Sequence, residues 1–258
     1  MTPLAFENPS RRKALAIVLP AYNEERNLGP LLDSIRDAMA EAAVPYRVIV
    51  VDDGSVDQTA ATIASRESAM PLVLVRHPKN QGLGATIRDG LRLATELAGD
   101  GDVIVTMDAD QTHNPGLIPR MVQAIHEGHD VVIASRYRPG SRVCGLSTFR
   151  VLVSLGASWM FRIVFPTTGV RDFTCGYRAY RATLLKTALA TYGDRFIEAE
   201  GFHCMAEILL KLRPLRPIFG EVPFILRYDL KEGATKMRVG RTIRQTLALV
   251  LRSRLSPR

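Results

Sequence analysis

Five short apolar runs, each separated from the next by a stretch of helical periodicity, constrain this chain more than any other feature of its sequence. They are Ala14–Leu19, Arg47–Val51, Leu72–Val75, Val103–Met107 and Val131–Ala134. Runs this short and this uniformly apolar read as parallel strands buried on both faces. Between them Leu28, Leu31, Leu32 and Ile35 share one helical face, as do Ile87, Leu91, Ala94 and Leu97. Pro115 stands where a helix through Met121 and Ile125 begins, a place proline favours. The alternation predicts an α/β fold: a doubly wound, mostly parallel sheet with helices on both faces. Its ligand crevice is expected at the carboxyl ends of the strands.

The rhythm breaks after Arg136. A long apolar stretch over 145–165 is interrupted by Arg150 and Arg162, and β-like pieces follow near Thr174–Tyr180. A helix around Glu200–Leu212, an extended run over Ile218–Tyr228 and a basic helix over Val239–Arg254 complete the chain. No repeat, low-complexity tract or Pro/Gly linker divides it, so one domain over 1–258 is expected.

Charge separates two halves of that domain. Residues 1–135 carry 12 basic and 18 acidic side chains, whereas residues 136–258 carry 22 and 8. A cationic second half implies a phosphate-rich ligand or an anionic membrane surface. No zinc-finger, basic-zipper or RNA-recognition signature accompanies the charge, so nucleic acid is not the expected partner. Cys144, Cys175 and Cys204 are odd in number and lack a CxxC, which argues against a disulfide framework or structural zinc and fits a reducing compartment. The N-terminus does not read as a signal peptide. No run reaches the roughly 18 apolar residues a spanning helix needs, so a cytoplasmic location is expected.

Two acidic motifs fall at predicted strand ends. Asp52-Asp53-Gly54-Ser55 follows the second run and Asp108-Ala109-Asp110 the fourth. Carboxylates at i and i+2 of an extended segment project to one side and jointly suit a hard divalent cation. Capping of the next helix is the plainer reading, and it suits Asp57 ahead of Thr59. Asn80-Gln81-Gly82-Leu83-Gly84 supplies GxG, but Ile87 stands at the third glycine position and the motif follows the third strand. No GxxxxGK[ST] is present, so the dinucleotide and P-loop readings are both weak. His126 and His129, beside Gly128 at a helix end, read as solvated surface rather than a metal pair.

Taken together, Pro20-Ala21-Tyr22-Asn23-Glu24, the segment Val51 to Thr59, Asn80-x-Gly82-x-Gly84, Asp108-Ala109-Asp110 and Ser135-Arg136-Tyr137 occur in an order and spacing that resembles the GT-A fold glycosyltransferases of family 2. Asp172-Phe173-Thr174-Cys175-Gly176-Tyr177-Arg178 and Lys231-x-Gly233-x-Thr235-Lys236 narrow the resemblance to the dolichol- and polyprenol-phosphate mannosyltransferase branch, over roughly residues 14–238. The resemblance implies a Rossmann-like nucleotide-sugar half, 14–135, and an acceptor and membrane-facing half, 136–258, with an interface helix and a hairpin. Pro20, Tyr22, Glu24, Val51 and Asp53 would hold the donor nucleoside. Asp108 and Asp110, with Ala109 between them, would bind Mg²⁺ or Mn²⁺ and the diphosphate. Arg136 matches an arginine near the donor and acceptor phosphates, and Arg150 and Ser154 match the pair that grips the lipid phosphate. Arg227 and Lys236 match basic residues of a hairpin that closes over the donor. Asp108, Asp110, Arg136 and Lys236 are therefore the implied catalytic set.

The implied reaction is inverting transfer of a hexose, mannose from GDP-mannose being favoured, to a polyprenyl or dolichyl phosphate at the cytoplasmic face of a membrane. The alternatives are a UDP-sugar donor or a small soluble acceptor on the same scaffold, and a non-catalytic module that binds nucleotide sugar or anionic lipid. Three departures from the family pattern stand out. The position of its third metal ligand is Thr112, with Gln111 one place early. The segment between Arg227 and Lys236 is longer than the compact hairpin, and no spanning helix follows the catalytic region. The chain also lacks the Glu-Asp dipeptide and QxxRW motif of processive synthases, and Glu200 and Glu207 read as helix residues. Lacking that base agrees with a phosphate acceptor, which is largely ionised at neutral pH. Finally, Leu146–Phe165 reads either as an ordinary core helix or as an amphipathic element in the membrane interface, with Trp159 and Phe161 at headgroup depth.

Overall fold

The computed structural model describes residues 14–232 and 239–255. All five expected strands form: β1 (Leu15–Ala21), β2 (Tyr46–Asp52), β3 (Leu72–Arg76), β4 (Val103–Thr106) and β5 (Val131–Ser135). Helices α1 (Leu28–Glu41), α2 (Thr59–Ala64), α3 (Leu83–Leu97) and α4 (Ile118–His126) connect them. Pro115 opens a 3₁₀ turn, Pro115–Leu117, that leads into α4, and Asn114 caps the turn by accepting from the Gly116 amide.

The second half adds a short β6 (Arg142–Cys144), then α5 (Thr148–Val164), β7 (Arg178–Arg181), α6 (Ala182–Tyr192) and α7 (Cys204–Leu212). Strands β8 (Phe219–Pro223) and β9 (Ile225–Arg227) and helix α8 (Val239–Leu255) follow. The main sheet has seven strands in the order β3-β2-β1-β4-β7-β5-β8, and β6 pairs in parallel with β9 outside it. Strand β7 is antiparallel to both β4 and β5, and the other pairings of the main sheet are parallel.

The core centres on the first half's strands and extends into the second half through residues such as Phe161, Phe173, Leu185 and Leu209. Ile17 to Leu19, Val48 to Val51 and Val131 to Ala134 are wholly buried. Helix α3 lies close enough on β1 and β2 that a Cβ on Gly90 would come within 2.4 Å of a Val18 methyl, so only glycine fits there. Strand order also fixes where a ligand belongs. The chain moves outward from β1 to β2 and β3, then returns to β4 on the other side of β1. The carboxyl ends of β1 and β4 therefore flank a topological switch point, where crevices open in such sheets.

Helix α5 breaks the usual rule for an apolar helix. Only Ser158 and Phe161 of its residues are buried, while Phe149, Leu152, Trp159 and Ile163 are exposed, Ile163 to 71%. Those four recur at helical spacing and form one stripe. Helix α8 likewise exposes Ile243, Leu247 and Leu251 at i, i+4 and i+8. No helix among the described residues is long and apolar enough to cross a membrane.

Candidate active site

The crevice is built from three strand ends. Parallel register sets Pro20 beside Val51 and Ala21 beside Asp52, while the Met107 amide donates to the Val18 carbonyl. Pro20, Tyr22, Glu24, Val51, Asp53, Asp108, Ala109 and Asp110 are thereby carried to the carboxyl ends of β1, β2 and β4. Asn23, at a positive φ of 51°, turns the chain after β1. Its backbone donates to Ser55 Oγ at 2.8 Å and its side chain accepts from the Val56 amide at 3.0 Å, which locks the β1 and β2 loops together.

Asp53 is the best-satisfied carboxylate at this end. It accepts from the Gln81 amide at 2.8 Å and the Gly82 amide at 2.9 Å, and His77 Nδ1 lies 2.7 Å from it. It is buried, so these contacts make it the anchor of the glycine loop as well as a candidate nucleoside contact. The loop's glycines answer to backbone packing. A Cβ on Gly82 would sit 2.6 Å from the Glu200 carbonyl and one on Gly84 1.7 Å from the Ala199 carbonyl. The GxG that hinted at a dinucleotide site is thus explained by close approach of residues 199–200, whose Glu200 carbonyl accepts from the Gly84 amide.

At the end of β4 the acidic pair has a different environment. The Asp108 amide donates to His113 Nδ1 at 3.0 Å. His113 Nε2 lies 3.7 Å from Asp108 Oδ2. Burial raises the Asp108 pKa and Asp110 adds to the rise, against the opposing pull of His113 and Lys231. Asp110 accepts from Thr112 Oγ1 at 2.6 Å and from Lys231 Nζ at 2.5 Å. Burial disfavours its ionised form, but the Lys231 charge and these hydrogen bonds hold its pKa below the usual carboxylate value.

The two residues considered for a third ligand are both engaged. Thr112 donates its hydroxyl to Asp110, and Gln111, at a φ of 64°, directs its amide to Asn27 Oδ1 at 3.4 Å. Among the described residues no cluster of three or more His, Cys, Asp or Glu side chains has the arrangement of a metal cage.

Arg136 follows β5 and is fixed by the motif at 172–178. Its Nε donates to Asp172 Oδ2 at 2.8 Å, and its Nη2 donates to Asp172 Oδ1 at 2.7 Å and to Thr174 Oγ1 at 2.6 Å. Asp172 is fully buried. Burial works against its charge, but Arg136 and backbone amides hold its pKa below the ordinary value. Beyond this pair lie the residues matched to the acceptor phosphate. Ser154 Oγ is 2.7 Å from the Tyr137 hydroxyl, whose ring packs under the Arg136 guanidinium at 5.4 Å. Arg150 Nη1 reaches the Tyr228 hydroxyl at 3.4 Å, and Lys231 lies 5.6 Å above the Tyr228 ring. Arg150 is thereby linked to the segment that reaches Asp110, and Ser154 to Arg136.

Arg227 turns its guanidinium onto Asp229, with Nη2 at 2.8 Å, while its backbone amide donates to the Thr112 carbonyl at 3.0 Å. Lys236 lies outside the described residues. Lys231, His77, Tyr137 and Tyr228 carry no assigned role in the sequence reading. Lys231 and Tyr137 had a signal there, as members of the Lys231-x-Gly233 segment and the Ser135-Arg136-Tyr137 motif.

Comparison with known proteins bears on all of this. Residues 16–188 match the profile described as Glycosyl transferase family 2. The chain is similar to a dolichol-phosphate mannosyltransferase of Pyrococcus furiosus, 32% identical over 92% of this chain and 63% of that protein. It is also similar to an undecaprenyl-phosphate mannosyltransferase of Micrococcus luteus, 35% identical over 86% and 87%, respectively. A third relative is a polyprenol monophosphomannose synthase of Mycolicibacterium smegmatis, 32% identical over 90% and 83%. The chain thus spans slightly under two thirds of the first relative's length and more than four fifths of the other two. Among solved structures, glucosyl-3-phosphoglycerate synthase of Mycobacterium tuberculosis, in complex with Mn²⁺, UDP and phosphoglyceric acid, shares the fold. Its TM-score is 0.66 at 21% identity, covering 95% of this chain and 80% of that one.

Proposed function

This chain belongs to glycosyl transferase family 2, and from that premise we propose that it transfers mannose from GDP-mannose to a polyprenyl phosphate with inversion at the sugar. The relatives at 32–35% identity, named for mannosyl transfer to such lipids, support the choice of donor sugar and acceptor. The single observation that carries the acceptor reading is the linkage of Arg150 and Ser154 on α5 to both sides of the crevice. Tyr228 leads from Arg150 toward Lys231 and Asp110, and Tyr137 leads from Ser154 to Arg136. A phosphate gripped by α5 thereby faces the donor end, while the exposed apolar stripe of the same helix suits a lipid tail and a membrane interface.

Asp108 and Asp110 are the residues that would hold a divalent cation. Their hard oxygen donors suit Mg²⁺ or Mn²⁺, and the Lys231 ammonium against Asp110 marks the place as one that draws a positive charge. A cation bound there supplies neutralisation of the charge that develops on the departing diphosphate. Asp108 and Asp110 would supply two protein carboxylates, in keeping with the one or two that Mg²⁺ usually takes from a protein.

The remaining work falls to side chains. Arg150 and Ser154 hold the acceptor phosphate, Arg by its fork of donors and Ser by its hydroxyl. A phosphate oxygen attacks the anomeric carbon as the bond to the diphosphate oxygen breaks, and the nucleoside diphosphate leaves with the electron pair. The acceptor is a phosphomonoester with a second pKa of about 6, so it arrives ionised and needs no general base. Arg136, held rigid by Asp172, presents a fixed positive charge between the phosphates. Peripheral attachment to a membrane follows from the acceptor and from the cationic second half.

The test is incubation of the protein with radiolabelled GDP-mannose, Mg²⁺ or Mn²⁺, and a short polyprenyl phosphate, followed by chloroform extraction. Labelled lipid in the organic phase is the expected result. Its absence with every common nucleotide sugar would overturn the acceptor assignment, and label on a water-soluble acceptor without lipid would favour a small-molecule transferase.

A further inference from the structure

Lys231 reaches Asp110 across 121 residues of sequence to place its ammonium 2.5 Å from Oδ2. Both side chains are nearly closed off from solvent, 11% and 12% exposed. An ion pair this sheltered at a functional carboxylate competes with whatever else that carboxylate is meant to bind. We infer that Lys231 is an exchangeable counter-ion: it holds Asp110 while no metal is bound, and passes to an oxygen of the nucleoside diphosphate when a divalent cation takes Asp110. This rests on the metal and diphosphate part of the proposed function and is independent of the acceptor.

The attachment of the lysine is suited to exchange. Lys231 directly follows a 3₁₀ turn, Tyr228–Leu230, and belongs to no strand or helix. Around it the described hydrogen bonds of the segment to the rest of the site come from loops and side chains, while the turn itself rests on Gly145. The Arg227 amide donates to Thr112, Tyr228 touches Arg150, and the Glu232 amide and carbonyl meet the Asn27 side chain at 3.0 Å each. Each of these can break without disturbing a sheet ladder. Compare Arg136, whose guanidinium makes three hydrogen bonds to Asp172 and Thr174.

Electrostatics gives the exchange a direction. Glu24 lies near enough to act on Lys231, as do Asp108 and Asp110 on one another, so among the described residues several carboxylates share the Lys231 ammonium. A dication compensates them better than one lysine does, and it repels that lysine. The diphosphate then brought by the donor is the new nearby anion, and the flexible four-carbon stem of lysine permits the short move from carboxylate to phosphate. The Tyr228 ring offers the ammonium a cation–π seat along the way.

The experiment is a Mn²⁺ titration followed by electron paramagnetic resonance, then calorimetry with GDP and with UDP at saturating Mn²⁺, all at one fixed pH. Lys231→Met keeps the length and removes the charge. It should bind Mn²⁺ about tenfold more tightly than wild type when nucleotide is absent, and the diphosphate about tenfold more weakly when Mn²⁺ is saturating. Lys231→Arg should stay near wild type in both. Asn27→Ala, which loosens the segment and leaves the charge in place, should tighten Mn²⁺ by a smaller factor. Mn²⁺ affinity unchanged or weakened in Lys231→Met, or diphosphate affinity unaffected, would overturn the exchange. A wild type that shows the binding pattern yet glycosylates no polyprenyl phosphate would instead break the acceptor reading and leave the exchange standing.

Discussion

The end of the crevice proposed for the nucleoside and the end proposed for the phosphates satisfy their charges by different means. At the nucleoside end Asp53 is met by backbone amides of residues 81 and 82 and by His77, all within 29 residues of sequence. At the end proposed for the phosphates, charged or hydroxylated side chains from distant elements join the local partners: Asp172 for Arg136, Lys231 for Asp110, Tyr228 for Arg150. Backbone donors fixed by a sheet and its loops have nowhere else to go, so the first end is preformed. Side chains can change partners, so the second can rearrange around ligands that arrive and leave. Within it, the Arg136–Asp172 fork is the fixed member and the single Lys231–Asp110 contact the movable one.

The strongest way to break this contrast is Asp110→Ala. If the phosphate end acts through chemistry rather than architecture, kcat should fall by about a thousandfold or more with little change in melting temperature. Near-normal turnover in metal-free buffer would remove the metal mechanism altogether.

Asp172→Asn probes the fixed member of the same end and should cost about 3 kcal/mol of stability at neutral pH, since it leaves the mostly enclosed Arg136 without its charge partner. The pH dependence has a definite sign. Asp172 has a folded pKa below its unfolded value of about 3.9. Its contribution is therefore complete above that unfolded value and is lost as pH falls through the lower folded one. Denaturant melts at pH 7 and pH 3 should show the gap between wild type and variant narrowing in acid. A gap that stayed constant would assign the loss to packing.

Asp53→Ala should invert the Asp110 result. Leaving the amides of residues 81 and 82 without an acceptor should cost about 2 kcal/mol, or roughly 4–8 °C in melting temperature for a chain of this size. Donor KM should rise as well. A variant that melts like wild type would mean the glycine loop holds itself in place.

The smallest effect should come from Arg150→Ala, which is expected to raise KM for lipid phosphate by about tenfold and leave KM for the nucleotide sugar near its original value. Kinetics with each substrate varied in turn would show it, and impairment confined to the donor would transfer Arg150 to the other end of the comparison.

How much of this was legible in the sequence follows the same division. The five parallel strands could be read because burial on both faces writes a continuous apolar run, and Asp53, Asp108 and Asp110 because they stand directly after such runs. Strand β7 could not be read the same way. Arg178-Ala179-Tyr180-Arg181 has no apolar run, yet Arg178 is wholly buried, with its charge spread over the carbonyls of Phe173 and Met205. Tertiary contacts there replace what periodicity would have shown. The Lys231–Asp110 contact has no sequence signature, because no local pattern encodes a contact spanning 121 residues. Composition alone does not place helix α5 in core or interface, since it is apolar in either case. Exposure of Phe149, Leu152, Trp159 and Ile163 is a property of what packs nearby, not of the helix itself.

The antiparallel seat of β7 has a consequence for recombining this protein with its relatives. Ile133 near the end of β5 pairs with Arg178 at the start of β7, so the chain departs on its excursion through β6 and α5 and returns at almost the same point. Residues 136–177 thus form a loop-out with neighbouring ends, and a graft of that segment from a relative must match two adjacent junctions and the pairing of its β6 with β9. A chimera cut once, after residue 135, would replace β7 and β8 along with α5 and force foreign strands against both β4 and β5. Exchange of acceptor preference by segment grafting should therefore succeed with the two-junction swap and fail with the single cut.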